Sequence, residues 1–413
     1  MHGEICRIRH DTCNMAERTS ASTPKPVTVT LEALRNGDFP CATENPTTLR
    51  HIKLTSTGTV PFSTLEQAFG PTSLGILLVS NLPDHFHTDR SDVLSHASYL
   101  AALPPSELEK LECPEASYLV GWSRGRESLA SGQYDTLKGS YYFNCGAHHP
   151  SDDSSAHGDL PEYTHPNLYP PATLLPLFPE IATTLTTFIV SVAVLVAAAC
   201  DRYGVASIPD YIPGTLQRIV STSTSTKARL LHYYPSPTSS PSPPAAFTSN
   251  IPAQQTHSPT TTWCAPHRDH GCLTGLTSAM YVDETALSLP QALLRPPLPP
   301  SHQHRINPLP PLPELPSPPD PRVGLYVRAR SGQTVQVSIP RDCLAFQTGE
   351  ALEILTKGRF KAVWHEVRGG ATEAGRGVAR NTLAVFTREF LPLEVLSDKG
   401  DLQWLRVEEW MDG

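Results

Sequence analysis

TTWCAPHRDHGCLTGLTSAMYVDE, residues 261–284, contains His267 and Asp269, two metal-capable side chains separated by one residue. On a β-strand, residues i and i+2 point to the same face, so one short piece of backbone presents an imidazole and a carboxylate to the same ion. A second histidine from elsewhere would complete a two-histidine, one-carboxylate set with open positions on one side of the metal. The pair alone is weak evidence. With 17 His and 18 Asp in 413 residues, chance supplies roughly one His-x-Asp. The chain has three: His87/Asp89, His157/Asp159 and His267/Asp269.

Context separates them. His87/Asp89 falls where apolar residues begin to recur at helical spacing (Val93, Leu94, Ala97, Leu100, Ala101), and Asp89 reads as the cap of that helix. His157/Asp159 sits in the polar, Pro-punctuated stretch 146–170 with no strand pattern on either side, and reads as a solvated turn. Only His267/Asp269 lies among apolar and β-branched residues that continue as strand.

Composition bounds the rest. At 413 residues the chain can bury a large core. Its 42 Pro are about twice average usage and are clustered, which marks inserted segments. The net charge of −8 comes from scattered charges, with no basic stripe interleaved with aromatics, so nucleic acid is excluded as the expected partner. Nine Cys without a C-x-x-C argue against a disulfide framework or a structural zinc site and point to a reducing, cytoplasmic setting. The first 25 residues mix Arg with Asp and Glu and lack the apolar run of a secretory signal.

Along the chain, residues 1–26 read as a disordered tail and 27–150 as an N-terminal α/β region. Residues 151–396 read as the main β domain, interrupted by Pro-rich insertions at 235–262 and 290–321. Val27 to Leu34 reads as strand and turn, and Leu74 to Leu82 as a buried strand. Ser106 to Glu109 reads as an S-x-x-E capping box. Tyr118 to Asn144 reads as a loop-rich surface close to a pocket, with Trp122, Tyr141 and Tyr142 as candidate substrate contacts. Ile181 to Cys200 carries no charge over twenty residues, the length of a bilayer span. Its flanks lack the basic cluster and aromatic belt of an anchored span, so a helix packed on a sheet is the expectation. The second insertion has 13 Pro in 32 residues; its PPLPP and PLPPLPELP fit polyproline II and an SH3- or WW-type partner. Strands resume over 324–329, 334–339, 343–348, 362–367 and 380–388, with a hairpin turn at Gly332. Residues 397–413 read as a short amphipathic helix built on Leu402, Trp404 and Leu405.

Within this frame His365, on the strand reading AVWHEV, supplies the second histidine. Arg380 and Thr382 follow on a later strand and share a face. An Arg fork with a neighbouring hydroxyl suits a carboxylate, and fits the distal carboxylate of 2-oxoglutarate. Tyr234, at the end of KARLLHYYP, offers a further phenolic hydrogen bond.

The arrangement resembles the isopenicillin N synthase-like, or clavaminate-synthase-like, branch of the 2-oxoglutarate- and Fe(II)-dependent dioxygenases. His267-Arg268-Asp269-His270-Gly271 with Leu273-Thr274 resembles the family's H-x-D-H-G-x-L-T. Gly349-Glu350-Ala351-Leu352, then Thr356 to Lys361 and His365, is similar to its second motif. Arg380-Asn381-Thr382 stands where the family has R-x-S, and His232-Tyr233-Tyr234-Pro235 where many members have N-Y-Y-P. The resemblance covers about residues 27–390 outside the insertions. It implies a mainly β fold, a double-stranded β-helix (jelly-roll) core with flanking α-helices. It implies an iron site of His267, Asp269 and His365, with Arg380, Thr382 and Tyr234 holding 2-oxoglutarate. It implies O2 as oxidant and a small-molecule substrate that is hydroxylated or desaturated. Two other readings are kept: an oxidase of the same fold that uses no 2-oxoglutarate, and a non-catalytic interaction protein acting through its Pro-rich insertions.

Overall fold

The computed structural model describes residues 25–35, 60–126, 135–146, 160–235, 262–294, 308–369 and 377–388, and the backbone of 393–396 and 402–405. The strands in chain order begin with β1 (Val27–Thr30), β2 (Ile76–Ser80), β3 (Gly121–Arg124), β4 (Lys138–Asn144) and β5 (Lys227–Tyr233). They continue with β6 (Thr262–His267), β7 (Leu273–Thr277), β8 (Met280–Asp283), β9 (Gly324–Arg328) and β10 (Thr334–Val337). The last are β11 (Leu344–Thr348), β12 (His365–Arg368), β13 (Val378–Thr387), β14 (Leu393–Leu396) and β15 (Leu402–Leu405). The helices are α1 (Leu31–Arg35), α2 (Phe62–Phe69), α3 (His85–Ala101), α4 (Pro105–Glu109), α5 (Pro161–Thr164), α6 (Phe178–Ser207), α7 (Thr215–Thr222), α8 (Leu289–Leu293) and α9 (Glu350–Leu355).

One sheet runs in the order β1-β2-β11-β7-β13-β5-β4-β3, with β8 also paired to β13. A smaller sheet runs β10-β9-β12-β6. A cluster of buried residues joins the two. Ile76, Leu78, Leu231, Tyr233 and Ala345 come from the large sheet; Trp263, Leu325, Val327, Val337 and Val367 come from the small one. The sheets therefore face each other across a shared apolar layer, as two sheets with one apolar face each must. The sequence shows why each strand sits where it does. β2 (ILLVS) is apolar at successive positions and lies inside the large sheet, whereas β10 (TVQV) alternates exposed and buried residues at the edge of the small one. Gly332 turns β9 into β10 with φ of +84°, a backbone conformation that glycine adopts without strain.

The uncharged run expected to be a core helix lies in α6. Its buried residues Leu185, Ile189, Val192, Ala193, Val196 and Cys200 recur at helical spacing, and the helix packs against β7, β13 and α3. By length and composition it also suffices to cross a membrane; in this fold one side of it backs the large sheet. The approach to β7 is close, since a Cβ on Gly275 would lie 2.5 Å from Ile189 Cγ2.

Several expectations change. α3 begins at His85, because the chain leaves Pro83 directly into the first turn (Phe86 N–H donates to Pro83 O at 2.9 Å). Asp89 therefore lies inside the helix and is not its cap. α4 begins at Pro105, a residue pre-set for the first helical position, so Ser106 is already helical and makes no capping bond. Of Tyr118 to Asn144, expected to be a loop-rich surface, the described residues include the paired strands β3 and β4. Trp122 and Tyr141 belong to the main core: the Trp122 ring packs over Gly139, where a Cβ would meet Cζ2 at 2.7 Å, and Tyr141 donates to Leu168 O at 2.6 Å. The expected C-terminal helix is replaced, over 402–405, by β15 paired antiparallel to β14. Three apolar residues in four fit either period, and strand pairing decided it. His157/Asp159, the tail 1–24 and residues 236–261 of the first insertion lie outside the described residues.

The second insertion is also corrected. Its described part packs inward: Leu309 and Leu312 are buried in the main core, Tyr99 Oη donates to Pro310 O (3.0 Å), and Leu312 N–H donates to Ser95 Oγ (2.8 Å). PLPPLPELP is thus held by α3 of its own chain, and the SH3- or WW-type partner finds no support. The PPLPP motif of residues 296–300 lies outside the described residues.

Candidate metal and carboxylate site

His267 is the last residue of β6, and His365 is the first of β12. The two pair directly across the strands, with ring centroids 4.2 Å apart. Asp269 is not on the strand with His267, as the i, i+2 reading expected. It follows in the turn that leads to β7, and turns back so that its Oδ1 lies 3.7 Å from His267 Nε2 and 3.8 Å from His365 Nε2. One donor atom from each of the three lies within 4.8 Å of the others. Asp269 and His365 are buried, whereas His267 is partly open to solvent.

Hydrogen bonds fix each donor. His267 Nδ1 lies 2.8 Å from Ala265 O, and His365 Nδ1 lies 3.1 Å from Val363 O. A carbonyl only accepts, so each Nδ1 carries a proton and each Nε2 is the nitrogen turned to Asp269, the one left for a metal. The other carboxylate oxygen, Asp269 Oδ2, accepts from Thr274 Oγ1 (2.6 Å) and from Gln347 Nε2 (3.4 Å). Charge acts on the two rings differently. Burial holds His365 below the ordinary histidine range, helped by the neighbouring His267 ring and opposed by Asp269. At His267 burial works in the same direction, but Cys264 and Asp269 outweigh it and lift the imidazole to about 9. Two imidazoles and a carboxylate, with Nε2 and Oδ1 converging, fit a divalent iron-type ion, which would displace any proton from the rings on binding.

The turn that carries Asp269 is braced from below. Gly349 N–H donates to Cys272 O (3.0 Å), Glu350 N–H to Asp269 O (2.8 Å) and Ala351 N–H to His270 O (3.2 Å), so the start of α9 docks on the turn. This needs glycine at 349: a Cβ there would clash with Gly271 O and lie 2.8 Å from Asp269 O. The Glu350 carboxylate ties the same turn to Arg268 (2.6 Å) and His270 (2.9 Å).

His267, Asp269 and His365 open into a cavity of about 320 Å³ between the sheets. Arg380 and Thr382 line it from β13, side by side on one face as expected. Arg380 is buried, and its Nε and Nη1 have no hydrogen-bond partner among the described residues. Buried guanidinium N–H groups without an acceptor are costly, and a bound carboxylate would satisfy them. Tyr234 does not line this cavity; its ring lies under Arg124, whose Cζ is 3.8 Å from the ring centroid. Tyr233 lines it instead, paired in register with Arg380, which sits 5.1 Å over its ring. His232, where the family pattern has Asn, faces away and pairs through Nδ1 with Asn381 Oδ1 at 2.8 Å.

Sequence reasoning assigned no role to Thr274, Gln347 or Tyr233. Gln347 did leave a signal: it directly follows the apolar run LAF in the strand LAFQT, and a buried amide there asks for a partner. A second three-donor cluster, Cys113, Glu115 and His165, lies outside the cavity with Glu115 exposed.

Neither a protein-family model nor a curated protein matches the sequence. Solved structures do match by fold. A full-length Neurospora crassa protein in complex with alpha-KG and 5-formyluracil aligns with a TM-score of 0.54 at 15% identity, over 94% of this chain and 92% of that one. A candidate 2OG-Fe(II) oxygenase family protein from Caulobacter crescentus aligns at 0.54 and 18%, over 85% and 93%. JOX2 in complex with 2OG, Fe and JA aligns at 0.51 and 14%, over 94% and 93%. The chain therefore shares its fold, over nearly its whole length, with structures of 2-oxoglutarate- and iron-binding oxygenases.

Proposed function

We propose that the protein is an Fe(II)- and 2-oxoglutarate-dependent oxygenase acting on a small molecule. The observation that carries this reading is the convergence of His267, Asp269 and His365 on one point in a cavity that also holds Arg380, whose Nε and Nη1 have no hydrogen-bond partner among the described residues. The two facing sheets support the double-stranded β-helix expected of such enzymes. The solved structures of like fold bind 2-oxoglutarate, iron and small molecules, which agrees with this cofactor set.

Each residue has a task. His267 Nε2, His365 Nε2 and Asp269 Oδ1 would hold the iron. When bound, the iron supplies the redox chemistry that couples O2 and 2-oxoglutarate to oxidation of a substrate C–H bond. Arg380 and Thr382 would bind the far carboxylate of 2-oxoglutarate, with Tyr233 rather than Tyr234 beside them. Thr274 and Gln347 donate to Asp269 Oδ2, which leaves Oδ1 for the ion.

The test is succinate formation from 2-oxoglutarate on adding Fe(II) to the full chain in air. Succinate that depends on both His365 and Arg380 is expected. A chain that binds neither Mn(II) nor 2-oxoglutarate by calorimetry would sink the proposal, and metal binding with oxidation independent of 2-oxoglutarate would favour the oxidase reading.

A further inference from the structure

The Pro-rich segment does more than pack on α3. Just after Leu312, Glu314 meets Arg90, which is only 3% exposed, through two bonds of 2.9 and 3.0 Å. Arg90 also donates to the carbonyls of Ser278 and Ala279, at the junction of β7 and β8. Arg341 adds a second cation 3.1 Å from Glu314 and donates to Leu315 O, while Leu315 N–H donates to Tyr281 O at 2.8 Å. The next residues, Leu315, Pro316, Ser317 and Pro318, line the cavity that contains the metal triad. An ion pair with a buried Arg90 thus sits one residue before the wall, and prolines on either side fix φ and limit the conformations that the wall can adopt.

We propose that residues 315–318 form the selectivity wall of this cavity, and that the molecule seated against them is compact, uncharged and largely apolar. The proposal rests on the oxygenase reading for the word substrate, but not for the binding itself. Beside the wall the cavity is also lined by Tyr281, Val323, Leu325 and Val337. The cations that line it are accounted for. His267 faces Asp269 within the triad, Arg380 faces the carboxylate position, Arg229 donates to Ser140 Oγ (3.1 and 2.8 Å), and Arg341 is engaged by Glu314. Nothing at the wall invites a second anion, whereas apolar surface there gains from being covered. Because the wall is clamped before any ligand arrives, it excludes misfits by shape and spends no binding energy on ordering.

The test uses the full chain without metal and two neutral probes, indole and the larger 1-naphthol, with affinity read by saturation-transfer NMR titration. Indole is expected to bind. Pro316→Arg, which fills the space before the wall, is expected to weaken indole at least tenfold more than it weakens 2-oxoglutarate, measured by calorimetry with Mn(II). Leu315→Ala, which removes side-chain volume and leaves the backbone alone, is expected to shift the affinity ratio toward 1-naphthol at least fivefold. That second variant decides the matter if Pro316→Arg does not fold. Absence of indole binding overturns the proposal. So does an unchanged probe ratio in Leu315→Ala, or an equal loss of indole and 2-oxoglutarate in Pro316→Arg, which would mark the segment as support only. Absence of succinate from the wild type, with these probe results intact, counts against the oxygenase reading alone.

Discussion

His365 and His267 are direct partners across β12 and β6, so the two imidazoles are placed by backbone pairing and not by loop chance. Their Nε2 atoms lie at nearly equal distances from the same oxygen of Asp269, 3.8 and 3.7 Å. A site set by strand register resists small loop motions, which is what a metal centre needs.

The first prediction concerns that centre. His365→Ala and Asp269→Ala are expected to abolish Mn(II) binding in calorimetry. Thr274→Val, which removes the hydroxyl that orients Asp269, is expected to weaken it about 10–100-fold, the usual cost of losing an outer partner of a metal ligand. Full affinity in Thr274→Val would mean that the 2.6 Å bond does not position the carboxylate.

Arg380→Ala should raise the Kd for 2-oxoglutarate by roughly 100-fold, about the 3 kcal/mol of a charge-assisted bidentate contact, with Mn(II) affinity retained. Tyr233→Leu should weaken 2-oxoglutarate several-fold, and Tyr234→Leu should not. The reverse order would restore the assignment that the motif alone suggested.

Gly349→Ala tests the brace beneath the metal turn. The added methyl meets the backbone of Gly271 and Asp269, so the turn must move. A cost of about 1–3 kcal/mol is expected from overpacking, seen as a lowered Tm together with weaker metal binding. A lowered Tm with unchanged Mn(II) affinity would separate the brace from the site.

The pH prediction falls on His232. Burial holds it at about 4, against 6.5 for an ordinary histidine, and the bond to Asn381 opposes the shift only in part. The unfolded chain therefore binds a proton between pH 6.5 and 4 where the folded chain does not. The stability associated with neutral His232 is present in full above pH 6.5 and is lost as pH falls toward 4. The loss amounts to at most about 3 kcal/mol. His232→Asn keeps a partner for Asn381 without a titrating ring. It is expected to flatten this limb in urea-unfolding curves taken from about pH 7 down to about pH 4, and an unchanged slope would remove His232 as the cause.

Much of the site was legible because its residues sit in short motifs. His267, Asp269, His365, Arg380 and Thr382 all reach one cavity. Tyr234 was misplaced for a definite reason. In HYYP the two tyrosines lie on opposite faces, and only the pairing of Tyr233 with Arg380 decides which one turns inward. That pairing is a long-range fact absent from the local pattern. The Pro-rich segment was misread for a related reason. Its composition suits an external groove as well as an internal one, and its anchors Ser95, Tyr99 and Arg90 lie on a helix far away in sequence. The helical reading of 397–413 failed over 402–405 because Leu402, Trp404 and Leu405 fit either period and the pairing with β14 lies outside the local pattern.

The large sheet is bordered by strands from the first part of the chain on both sides: β2 covers β11, and β4 covers β5. Removing residues before 151 would therefore bare two edges of the sheet that backs the cavity, each with a row of unpaired N–H and C=O groups ready to recruit another chain. During synthesis the order is reversed. β2 emerges before β11 and must wait for it, since Leu78 pairs with Ala345, so the sheet closes only after β11 has been made. Folding is then expected to be slow, as it is for chains dominated by distant pairings. In the interval the apolar residues Ile76–Val79 lack their β11 neighbours and are exposed to non-native pairing.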